Sequence, residues 1–225
     1  MKKNVLRLLT VAMLCVGFSS CMQHDKDDLE PRVEDPDNNN PQEDDPQGAD
    51  GIEAIDLGLS VKWASCNIGA TSPEDIGDYY AWGETSTKRS YTDSNWQNEG
   101  VFSGADIIDI IGTKYDVAHT KWGNGWRMPL KSEFQEMVDR CTYVVTTKNG
   151  AKVAKITGPN GNFIYMPLGG EIEDRTTISK GQAGYYWSGT KELNQPKCFI
   201  VDASYMWANV FLRHSYGANI RAVHE

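Results

Sequence analysis

All seven tryptophans of this 225-residue chain lie between Trp63 and Trp207, and none lies in the first fifty positions. Large rings are the richest source of buried area a chain has, so a core can form only in the later part. Residues 22–50, MQHDKDDLEPRVEDPDNNNPQEDDPQGAD, mark the same division from the other side. They hold eleven Asp or Glu, four Pro, no aromatic residue, and only Lys26 and Arg32 as positive charges. Such a segment has too little apolar surface to offset its ordering entropy. Its like charges repel and its prolines stiffen it, so it reads as an extended, disordered tether. The acidic run lacks the regular spacing of a calcium loop. The segment carries −9 and the first residues, with Lys2, Lys3 and Arg7, carry +3, so of the full chain's −9 residues 51–225 hold −3. The later part is nearly balanced and has no basic stripe, which argues against nucleic acid as a partner.

The first twenty residues read as a secretion signal and are set aside from the fold. Lys2, Lys3 and Arg7 are its positive region, VLRLLTVAMLCVGF its apolar region, and Ser19-Ser20-Cys21 its small-residue exit. The apolar run falls short of the ~20 residues that a membrane span needs. GFSSC resembles a bacterial lipobox, with Cys21 as the lipidated residue, and Lys26-Asp27-Asp28 resembles the charged export signal of Bacteroides-group lipoproteins. That resemblance implies an outer-membrane protein, lipid-anchored and facing the cell exterior. Residues 21–50 are then the lipidated cysteine and its tether, and 51–225 a single domain.

Within 51–225, short aromatic segments separated by Gly and Asn favour a sheet-rich α+β fold over a helical bundle. Leu59, Val61 and Trp63 alternate with polar or small neighbours as in a half-buried strand. Residues 84–104 are polar and read as the most mobile loop. Residues 115–120 suit either a short helix or an extended segment. Pro129 precedes LKSEFQEMVDRC, where Leu130, Phe134, Met137 and Val138 share a helical face. Asn149-Gly150 between two β-rich runs predicts a hairpin, and Asn160-Gly161 a second tight turn. GYYWSGT is a strand candidate, and KCFIVDA, YMWANVF and GANIRAVHE predict three closing strands.

Four motifs in order, DLGLSVKWASCNIGATSPEDIGDYYAWGET, GNGWRMPLKSEF, YYWSGT and NIRAVHE, resemble the Fibrobacter succinogenes major paralogous domain. The resemblance spans most of 54–225. WRMPLKSEF, YYWSGT and RAV also resemble parts of formylglycine-generating-enzyme-like domains. That outer resemblance implies a C-type-lectin-like fold, with antiparallel sheets, about two helices, long ordered loops and adjacent chain ends. Relatives tend to have Thr where this chain has Leu130. Leucine cannot accept the orphan N–H groups of a helix start, so either Ser132 shifts the start or Leu130 trades capping for burial.

Arg127, between Trp126 and Met128, reads as a structural arginine whose planar fork bridges carbonyls or a carboxylate such as Glu133. Arg221 reads likewise, and Trp63, Trp126 and Trp187 read as core. Cys66 and Cys141, both inside ordered motifs, form the candidate disulfide, leaving Cys198 as a packed thiol. The paired cysteines of a formylglycine-generating oxidase are absent. His119, His214 and His224 lack metal-ligand spacing. Gln195-Pro196-Lys197 puts a positive residue where a lectin calcium loop needs a ligand, so neither metal nor cofactor is expected. Glu171, Glu173 and Asp174 read as solvated carboxylates, and no nucleophile elbow is present, so no enzyme activity is expected. Trp96, in polar YTDSNWQNEG, is the foremost candidate for an exposed ligand-binding ring, followed by Trp207, with Tyr205 and Trp82 beside them. These residues point to a non-catalytic binding or adhesion module for a glycan or a protein. The alternative is a structural or accessory subunit of an envelope or pilus assembly.

Overall fold

Two segments in the C-terminal half are apolar on both faces, AGYYWSGTKE and QPKCFIVD, and a strand with two apolar faces must be covered on both. The computed structural model, which describes residues 51–98, 100–102 and 107–225, places them at the centre of the fold. The signal, Cys21 and the tether lie outside the described residues. In chain order, β1 is Ala54–Ile55, β2 Lys62–Ala64, β3 Ile107–Asp109, α1 Val117–Trp122 and β4 Trp126–Arg127. Next come α2 (Lys131–Arg140), β5 (Thr142–Lys148), β6 (Ala151–Thr157) and β7 (Phe163–Pro167). Last are β8 (Glu171–Glu173), β9 (Thr176–Ile178), β10 (Ala183–Glu192), β11 (Gln195–Asp202), β12 (Met206–Phe211) and β13 (Val223–His224). Every named pairing is antiparallel, and with two α-helices the class is α+β.

The sheet β12-β11-β10-β3 divides the interior. Tyr186 pairs with Phe199, and Trp187 with Cys198. Successive pairs point to opposite faces. Tyr186, Phe199 and Val201 therefore join one apolar cluster, while Trp187, Cys198 and Ile200 join another. α2 covers the first face. Phe134 lies parallel to Phe199 at 4.7 Å and against Trp63 at 5.1 Å. The sheet β5-β6-β7 adds Ala154, Ile156, Ile164 and Met166 to the same cluster. Its first hairpin turns at Asn149 (φ 48°) and Gly150 (φ 84°), both in the left-handed region that a two-residue turn demands. α1, Trp82, Phe102, Trp122, Trp126 and the C-terminal segment cover the other face.

The start of α2 is capped without help from Leu130. The Leu130 N–H donates to Glu133 Oε2 at 2.8 Å. The Lys131 N–H donates to the Thr190 hydroxyl at 3.2 Å, so β10 supplies a cap from across the fold. Leu130 is half-buried at this junction. Arg127 forks onto Glu133 at 2.9 and 2.6 Å, reaches the Met128 carbonyl at 3.1 Å, and meets Glu225 at 3.2 Å. Asp116 caps α1 through the His119 N–H at 3.0 Å and also accepts from Gly112 and Met128.

The last of the three expected closing strands is much shorter than GANIRAVHE suggests. Only β13 is continuous, and it lies between β2 and β4. Residues before it make only single bridges, Ala218 with Tyr80 in a loop and Asn219 with Tyr186 on β10. Arg221 is fully buried inside this segment. Its guanidinium donates to Asn67 Oδ1 at 2.9 Å, the Ala64 carbonyl at 2.8 Å and the Tyr165 carbonyl at 2.8 Å. Burial lowers its pKa, but arginine stays charged at any ordinary pH.

The expected Cys66–Cys141 disulfide is not formed, and Cys66, Cys141 and Cys198 are all free thiols. Cys66 is turned into its own loop, where its thiol donates to the Ala70 carbonyl at 3.4 Å. Cys141 ends α2 and packs against the cluster beneath that helix. Burial pushes the Cys141 thiol up to about 11.

Arg221→Met keeps the bulk and strands three buried acceptors. It should destabilise the domain by at least ~3 kcal/mol, read as a lower urea midpoint at unchanged slope. A loss below ~1 kcal/mol would show that those acceptors find other donors.

Candidate functional site

The β10–β11 hairpin turns at Leu193 (φ 49°) and Asn194 (φ 63°), without a glycine. The left-handed region costs a leucine roughly 1–2 kcal/mol, and strain of this kind is often kept at functional sites. Leu193 is 75 % exposed at this tip. Beside it lies a pocket of about 230 Å³, lined by Trp82, Trp96, Phe102, Lys191, Asn194 and His214, with Asn98, Gly100 and Pro196 completing it.

The pocket walls are built by indole N–H groups tying loops together. The Trp82 indole donates to the Ser188 carbonyl at 2.9 Å, and the Trp96 indole to the Trp82 carbonyl at 3.0 Å. The Trp82 main-chain N–H donates to the His214 carbonyl at 2.8 Å. Trp96 lies over the His214 ring at 3.8 Å, and Trp82 meets Phe102 edge-on at 4.8 Å. Gly83 (φ 76°) makes room, since a Cβ there would come within 3.0 Å of the Phe102 ring. Asn98 donates to the Gly83 carbonyl at 2.8 Å. The described part of the 84–104 loop is held from below by buried Glu84, which pairs with Lys88 at 2.9 Å and accepts from the Gln97 N–H at 2.8 Å. Lys191 is buried, and burial lowers its pKa.

Trp96 is not the free ring that its polar neighbours suggest. It is half-buried and packs against the larger cluster. Trp82 is buried outright and forms part of the pocket lining. Both corrections have one cause: the surrounding polar residues bond to one another and fold the loop inward, so the rings meet the core. Trp207 and Tyr205 lie elsewhere, on the edge strand β12 and its turn, and stay about half exposed. Trp207 pairs with Ile200, which pairs with Tyr185, giving a cross-strand row. A register shift between Cys198 and Ile200 then sets Phe211 opposite Lys197, on the other face from Trp207. The exposed rings of β12 therefore do not form one stripe. Lys197 pairs with Glu192 at 3.7 Å. Among the described residues, no group of three His, Cys, Asp or Glu is arranged to hold a metal ion.

Sequence reading missed Lys191, Phe102, Asn194 and His214. They come from three separate segments and share no periodicity, so no local signal could have united them. It also misplaced Glu171, which reads as solvated but is buried, with Oε2 lacking any hydrogen-bond partner among the described residues. Burial, with the nearby Glu173 carboxylate, pushes its pKa up to about 7. Its neighbour Glu173 accepts from the Tyr216 hydroxyl. Compared with known proteins, the chain has no significant match among family models, curated proteins or solved structures.

A glutamate raised from ~4.3 to about 7 favours the folded state while protonated. Its contribution is complete below the unfolded value and is lost as pH rises through the folded one. Glu171→Gln should therefore gain stability over the native chain on going from pH 4 to pH 8, by about 3 kcal/mol. Paired urea melts at both pH values measure the difference, and a difference that does not change with pH would mean that the carboxyl reaches water.

Proposed function

We propose that this protein is a non-catalytic glycan-binding lipoprotein, anchored through Cys21 in the outer membrane and held away from the cell by the acidic tether. We assign it to the Fibrobacter succinogenes major paralogous domain family, with a C-type-lectin-like arrangement. The antiparallel sheets, the two helices and the pairing of β2 with β13, which draws the domain's ends together, support that arrangement. The pocket walled by Trp82, Trp96 and Phe102 carries the functional reading. Aromatic faces stack on the apolar faces of sugar rings, while Asn98 and Asn194 add hydrogen-bonding groups. At about 230 Å³ it is smaller than the ~300 Å³ of the smallest drug-sized sites, so it suits one ring or a chain terminus. A single ring in such a site should bind with a Kd on the order of 1 mM, which makes dense display on a surface the natural mode of use.

A glycan array probed at high density with the full chain in detergent tests this reading. Trp96→Ala should abolish the signal, while Trp207→Ala, outside the pocket, should leave it. Thermal melting confirms that both variants fold. Loss on Trp207→Ala with retention on Trp96→Ala would move the site to the β12 edge. That edge supports the second reading, an assembly subunit, because an open strand bearing exposed Trp207 can pair with another chain.

Anchoring is tested separately. Labelled fatty acid should be incorporated into the native chain and not into Cys21→Ser, and protease added to intact cells should release the domain. A domain that survives until the cells are lysed would place it inside the envelope.

A further inference from the structure

Lys191 stands apart from the lysines around it. Lys88 pairs with Glu84 at 2.9 Å, Lys131 with Glu192 at 2.5 Å and Lys197 with Glu192 at 3.7 Å. Those three are half-buried, whereas Lys191 is buried, with 5 % of its surface exposed. Yet among the described residues its ammonium has no carboxylate partner. It donates to the Phe102 carbonyl, and to Asn194 Oδ1 at 3.1 Å. An ammonium has three donors, so these two acceptors leave one over. A buried positive charge without an opposite charge is costly. The strand does not require it, because Lys191 pairs with Pro196 on one side and Ile108 on the other, where an apolar side chain would serve. The strained turn at Leu193-Asn194 holds one of its acceptors in place.

We propose that the pocket takes an acidic sugar, with the ring against Trp96 and the ring's carboxylate on the Lys191 ammonium. The assignment rests on the glycan reading above and narrows it. The three aromatic walls accept an apolar ring face, and Lys191 supplies the positive charge on the same lining. A carboxylate arriving there fills the spare donor and supplies the counter-charge that none of the described residues gives to the buried ammonium. Ion pairs formed away from water are worth more than exposed ones. Lysine suits the task because its compact ammonium can meet a carboxylate while keeping its two protein acceptors.

The full chain in detergent is titrated with methyl β-D-glucuronide, methyl β-D-glucoside and acetate, followed by saturation-transfer NMR and tryptophan fluorescence. The glucuronide should bind at least tenfold more tightly than the glucoside, and acetate more weakly than the glucuronide. In Lys191→Gln, checked for folding by near-UV circular dichroism, the two sugars should bind alike. The comparison on the native chain stands even if that variant fails to fold. Equal binding of both sugars by the native chain would overturn the acidic assignment and leave the glycan reading intact. Acetate binding as tightly as the glucuronide would make this a bare anion site and remove the ring from the proposal. If neither sugar binds, the glycan reading fails and the acidic assignment falls with it.

Discussion

The pair β10 and β11 has no face turned to water, and the rest of the domain is arranged to keep it so. Seven of the eight residues from Ala183 to Thr190 are buried, as are Cys198 to Val201 on the partner strand. A two-sided apolar ribbon is unstable alone. It needs α2 and the β5-β6-β7 sheet against one face, and α1 with the aromatic loops against the other. Close packing then makes the ribbon a rigid wall. The pocket sits at the end of that wall, beside its hairpin, so its geometry inherits the wall's rigidity while its rim is formed by loops.

Those loops cannot rely on ladder hydrogen bonds, and buried main-chain groups must still be paired. Side chains do this work. The indoles of Trp82, Trp96 and Trp187 donate to the carbonyls of Ser188, Trp82 and Tyr80. Each tryptophan thus fills volume and joins two segments at once. Arg221 does the same for three acceptors, and Asn219 for the carbonyls of Ile76 and Asp78. The side chains that hold the fold and those that shape the pocket are therefore partly the same. Trp82 belongs to both sets.

Where a feature depends on near neighbours in the chain, the sequence was legible. Asn149-Gly150 marks a hairpin because the turn itself demands left-handed residues, and Phe134 and Met137 mark the buried side of α2 because 3.6 residues make a turn. Where a feature depends on distant partners, it was not. Trp96 reads as exposed among polar neighbours, but Asn95, Gln97 and Asn98 bond within the loop and onto Lys88, Glu84 and Gly83, folding the ring inward. Cys66 and Cys141 share ordered surroundings, yet their backbones commit them to different packing sites. Glu171 looks like a surface acid until the C-terminal segment closes beside it through the Ile172–Gly217 bridge.

Sequence alone determined that residues 51–225 are rich in short strands, that a helix follows Pro129, and where the sharpest turns fall. These follow from composition, period and backbone preference, which act over a few residues. Tertiary structure alone decided which rings stay exposed, that the cysteines stay unpaired, and that Lys191 enters an aromatic pocket with no carboxylate of the described residues bonded to it. Burial and charge pairing are sums over groups from the whole chain, and they have no value until the chain has closed.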